Sequence, residues 1–194
     1  MENNIEVDSS HFNKSDKELY SNAPLISEII KREHLSPLKI REMAEKFRGC
    51  GINIIERDTP FGFTEIHTDG TKNTSVPFIE HGGNESLAVH EFFHIEQFIH
   101  ALRSGLSPKE IGGVPPHNLD TAEIGALEGQ LEYLKKIPRF TFGFRPLRNS
   151  PTYKELRRQV EELLEARKRN LPEGYKPTRE DKLNPYKKTI AIPD

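Results

Sequence analysis

A chain of 194 residues with a net charge of −2 has the length of one domain with tails and enough apolar residues for a sizeable core. The near-balanced charge offers no global basic field to a nucleic acid or an anionic membrane, and no apolar run reaches the roughly 18 residues that a membrane span needs. The single cysteine, Cys50, excludes an intrachain disulfide framework and a cysteine-built zinc knuckle, and fits folding in a reducing compartment.

Residues 1–18, rich in Asn, Ser, Asp and Lys, read as a flexible leader without the apolar centre of a secretory signal. The ordered domain is expected over 19–170, and 171–194, with four prolines and little periodicity, as a tail or a strap over the surface. A first helix is predicted over 24–32. A second starts at Pro37 behind a Ser36 cap and closes at Gly49 and Gly51. "INIIERD" (52–58) alternates like a strand, "GFTEIHTDGTK" carries an Asp-Gly turn, and "TSVPFIEHGG" reads as a further strand, placed at an edge by Pro77. The fold class predicted is α+β: mainly helical, with a small twisted, mostly antiparallel sheet packed on the helix that follows.

That helix is "SLAVHEFFHIEQFIHALRSG" (86–105), capped by Asn84 or Ser86 and ended by Gly105. Leu87, Phe98, Ala101 and Leu102 recur at helical spacing, so the stretch is a buried helix whatever else it does. His90 and His94 then lie about 40° apart on one face, one turn apart along the axis, where two imidazoles can reach one metal ion. Core packing does not ask for such a pair. Glu91 points about 100° away from His90, beside a bound ion and within reach of its water. A chain of this composition produces His-Glu-x-x-His by accident on the order of 0.04 times. The expectation is about one zinc per chain.

Two histidines leave the site short of a third protein ligand. The next long helix, predicted from about Asp120 to the stop at Pro138, places Ile124, Leu127, Leu131 and Leu134 on its apolar face. Glu123 lies about 60° to one side of that face's centre and Glu128 about 80° to the other, so either can approach a buried site, while Glu132 points outward. The last helix, "TYKELRRQVEELLEARKRN", interleaves acids with its basic residues and reads as a solvated face, so no nucleic-acid partner is expected.

From Thr74 to Leu134 the chain resembles a zincin metallopeptidase, gluzincin-like and of the compact kind found among bacterial effectors and toxin domains. The resemblance rests on His-Glu-x-x-His at 90–94 and on the Glu-x-x-Ala-x-x-x-Gln spacing that begins at Glu123. It implies Glu123 as third ligand, with Glu128 as the alternative. His100 stands where metzincins carry theirs, but Gln97 replaces the turning glycine of that pattern and both methionines, Met1 and Met43, lie upstream. It further implies a substrate that adds along the edge strand, here Ser75, Val76, Phe78 and Glu80. Glu91 would act as general base on the zinc-bound water and pass the proton to the leaving amine. His117, Tyr133 and Tyr153 are the candidates for an oxyanion donor.

The expected function is therefore a zinc-dependent endopeptidase with a protein or peptide substrate. It would act in the cytoplasm, or after effector-type delivery without a cleaved Sec signal. A helical interaction protein with a structural metal competes with this reading; Glu91 argues against it, because a structural site has no use for a carboxylate that is not a ligand. A zinc hydrolase of a non-peptide amide or ester fits the same residues. The oligomeric state is not specified by the sequence.

Overall fold

Helix α1 (Ile26–Arg32) is short and lies against the centre of the molecule through Ile26 and Ile30. Helix α2 (Pro37–Gly49) starts where its local chemistry directs: the Ser36 hydroxyl accepts from the Lys39 N–H at 3.3 Å, and Pro37 sits where no N–H is needed. The computed structural model describes residues 20–33, 35–50, 52–57, 63–66, 72–77, 84–106, 110–111, 116–137 and 151–187. The expected leader, 1–18, lies outside them.

The expectation of an α+β sheet fold is corrected: this is a helical fold. Helices α2, α3 (Asn84–Arg103), α4 (Pro116–Lys136) and α5 (Pro151–Arg169) are 13, 20, 21 and 19 residues long and carry most of the described core side chains. Extended backbone is confined to three short segments, β1 (Asn53–Arg57), β2 (Phe63–Ile66) and β3 (Lys72–Pro77), in the order β1-β3-β2. They are not mostly antiparallel either. β1 and β3 run parallel from Asn53↔Asn73 to Arg57↔Pro77, and only β2 is antiparallel to β3, from Phe63↔Ser75 to Ile66↔Lys72. Alternation marks a strand but is silent about its partner. Pro77 stands opposite Arg57 at the last described position of β3, which is the middle strand, so it does not signal an edge.

Helix α3 is the axis of the molecule. From Ala88 to Leu102 every residue except His90 and His100 is buried, so its polar groups must find partners inside the protein. On one side the fully buried Glu96 accepts from the Ser27 N–H at 2.8 Å and from the Ser27 hydroxyl, pinning α1 to α3. Arg103 donates to the carbonyls of Tyr20, Ser21 and Ala23, tying down the segment before α1. The helix ends as its glycine predicts: Gly105 takes φ 93°, with Leu106 N–H donating to the Ala101 carbonyl and Gly105 N–H to that of Leu102.

Helix α4 begins one turn before Asp120, with Pro116 at its first position, and packs along α3 at close range. A Cβ at Gly129 would lie 2.1 Å from the buried Phe93 ring. Gly129→Ala should therefore destabilise the protein by about 1–3 kcal/mol, because overpacking outweighs the roughly 1 kcal/mol that alanine gains in a helix. Denaturant unfolding with an unchanged m value checks this; a rise in the midpoint would contradict it.

Helix α5 lies on α4, and the chain then returns across α3 and α4. The return segment includes α6 (Arg179–Leu183), which opens with a capping box between Thr178 and Asp181. Asn118 donates to the Pro185 carbonyl, Asn184 to the Ser104 hydroxyl at 3.1 Å, and Lys182 reaches Glu128 at 2.8 Å. No described helix is long and apolar enough to cross a membrane.

Candidate metal centre

Three side chains from two helices converge. The Nε2 atoms of His90 and His94, one turn apart on α3, are 3.2 Å from each other. Glu123, on α4, places Oε1 3.2 Å from His94 Nε2 and Oε2 3.7 Å from His90 Nε2. All three ligand atoms fall within 4.8 Å of one another, the only such group among the described residues. Two imidazole nitrogens and one carboxylate in that compass fit zinc and leave a position for water.

The electrostatics follow from packing three titratable groups together out of water. Burial first, then the neighbouring His94, hold His90 down at about 3, against the pull of Glu123 and Gln130. Burial would lower His94 as well, but its hydrogen bond with Glu123, the charges of Glu123 and Glu91, and Gln97 outweigh that, and its pKa is raised. Burial pushes Glu123 up, yet contact with His94 and the charges of His90 and Arg167 bring it down to about 2. Of the three groups in the metal-free site His94 therefore takes up a proton most readily, and His90 and Glu123 do so only in acid.

Glu91 is buried on α3 beside the cluster and is not part of it, and its charge acts on His94. Glu128 is occupied elsewhere, in a two-oxygen pair with Lys182 at 2.8 and 3.0 Å. His100 faces Glu96 at 3.6 Å instead of the cluster. The Tyr133 hydroxyl donates to the Leu35 carbonyl at 3.3 Å and the Tyr153 hydroxyl to that of Leu134. Phe78 and Glu80 lie outside the described residues, as does the side chain of His117. Ser75 and Val76 belong to β3, which is the middle strand and not an edge; among the described strands β2 is the edge segment that lies against α3.

Three residues at the site carry no signal that the sequence alone exposes as functional. Gln97, read only as the replacement for a turning glycine, has Oε1 2.9 Å from His94 Nδ1; its place one turn beyond His94 on the same face was the available clue. Arg167, in the charged face of α5, reaches across to Asp120 at 3.1 Å and to Glu123 Oε2 at 3.7 Å. Tyr186, in the return segment, is buried, and its hydroxyl pKa is raised by that burial and by the charge of Glu123.

No protein-family model, curated protein or solved structure matches the chain.

Proposed function

We propose that this chain is a zinc-dependent endopeptidase of the zincin kind, with His90, His94 and Glu123 as ligands and Glu91 as general base. The observation that carries the reading is the convergence of three donors from two helices, within 4.8 Å, beside a buried carboxylate that is not among them. A structural zinc prefers four protein ligands, so three ligands plus a separate acid favour an open, catalytic position. Zinc held there by His90, His94 and Glu123 would supply Lewis-acid polarisation of a substrate carbonyl and lower the pKa of a water molecule. Glu91 would take that water's proton and deliver it to the leaving amine. Arg167, 3.7 Å from Glu123 Oε2, adds a smaller pull to those of His94 and His90 that hold the pKa of that carboxylate down. The substrate class is a protein or peptide chain. The site of action would be the cytoplasm of its own cell or of a cell it is delivered into, in keeping with one buried, unbridged cysteine.

Zinc titration of the purified protein tests the centre. About one ion per chain is expected. Glu123→Ala should weaken binding by more than the roughly 10- to 100-fold that loss of an outer partner costs, while Glu128→Ala and His100→Ala leave it unchanged. No uptake by the unaltered protein would remove the metal centre, and the reverse ranking would move the third ligand to Glu128.

A further inference from the structure

Gln97 is 1% exposed, and its amide makes three hydrogen bonds that together fix a protonation pattern. Its Nε2 donates to the Ala122 carbonyl at 2.8 Å and to the Lys182 carbonyl at 2.9 Å. Carbonyls only accept, so the amide cannot be turned over, and Oε1 must be the atom that meets His94 Nδ1 at 2.9 Å. An amide oxygen also only accepts. His94 Nδ1 therefore carries a proton, which leaves Nε2, the ring atom that faces His90 Nε2 and Glu123, as the nitrogen a metal would take.

The geometry points to Gln97 as the positioning residue of the metal centre, a buried amide that locks His94 in its Nε2-binding tautomer and fastens that ligand to α4 and to the C-terminal return segment. Ala122, one of its two acceptors, immediately precedes Glu123, so the same amide sets the height of the α4 ligand relative to the α3 ligand. Lys182, the other, belongs to α6, whose side chain also holds Glu128. Residues 85 positions apart in the chain thus meet on one amide, and the return segment is part of the metal centre although it supplies no ligand. This role rests on the zinc reading for its effect on affinity; the bond from His94 Nδ1 to Gln97 belongs to the metal-free protein.

Two measurements on the full-length chain test it. Long-range proton–nitrogen NMR of His94 in the metal-free protein should show a proton on Nδ1 that is slow to exchange with solvent. Gln97→Met, similar in shape but without the hydrogen bonds, should let that proton exchange freely and weaken zinc binding by about 10- to 100-fold. A wild-type ring without a protected proton on Nδ1 would overturn the proposal, as would a folded Gln97→Met protein with wild-type Nδ1 protection and zinc affinity. Should that variant fail to fold, the wild-type Nδ1 proton decides. A protein with the protected Nδ1 proton that takes up no zinc would remove the peptidase reading and leave the role of Gln97 in orienting His94 standing.

Discussion

Glu91→Gln should lower hydrolysis at least about 100-fold, the lower end of what a positioned general base contributes, while zinc content and fold stay as they are. The substitution keeps the shape of a side chain that is 5% exposed and removes only its basic oxygen. Because Glu91 stands outside the cluster of His90, His94 and Glu123, no ligand is lost. Its charge does help raise the pKa of His94, so the variant should also bring that pKa back toward the ordinary histidine range, an independent sign that the two groups interact. The practical assay compares cleavage products from bacterial and eukaryotic lysates treated with the unaltered protein or with Glu91→Gln. Identical patterns, or no cleavage by either while both capture the same partner, would replace the enzyme with an interaction protein.

His94→Ala should abolish stoichiometric zinc, with an affinity loss well beyond the roughly 100-fold upper range for an outer partner, because it removes the donor that both His90 and Glu123 face. The metal-free site also fixes how zinc binding depends on pH. Zinc needs His94 unprotonated, and the raised pKa of His94 means that protons compete for it up to and above the ordinary histidine range. Affinity should rise with pH through that window, and uptake at its lower end should release a proton, seen as a heat of binding that changes with the buffer. His90, at about 3, and Glu123, at about 2, compete only in strong acid. The stability signs are opposed. The depressed pKa values of His90 and Glu123 contribute stability above their ordinary ranges, lost as pH falls toward 3 and 2, whereas that of His94 contributes below its ordinary range and is lost as pH rises through its folded value. Uptake that did not vary between pH 5 and pH 8 would mean that some other set of groups holds the ion.

What could be read before folding is what one helix dictates to itself. The angle between His90 and His94 and the offset of Glu91 follow from 100° per residue and needed no tertiary information. Helix ends were legible for the same reason, since Ser36, Pro37 and Gly105 act on their own neighbours. Glu123 required one long-range fact, the packing of α4 on α3, and the apolar face of α4 left Glu123 and Glu128 as alternatives until Lys182 was seen to occupy Glu128. Arg167 and Tyr186 were not legible, because their roles come from elements far away in the chain, and of Gln97 only its place one turn beyond His94 could be read. The three short strands were misjudged on the same ground: period-2 alternation describes a segment, whereas class, register and edge are relations between segments.

Gly125 gives the close contact between α4 and the return segment a meaning beyond packing. A Cβ there would sit 2.9 Å from both Gln97 Nε2 and the Lys182 carbonyl, so one added carbon would wedge apart the hydrogen bond that joins them. The absence of a side chain on α4 is thus as much a condition of the cluster as the imidazoles on α3. A survey that scanned only ionisable residues would map His90, His94, Glu123 and Glu91 and pass over the clearance that lets them meet. If the cluster holds an ion, it does so because a helix is thin at a residue outside it, two positions after Glu123.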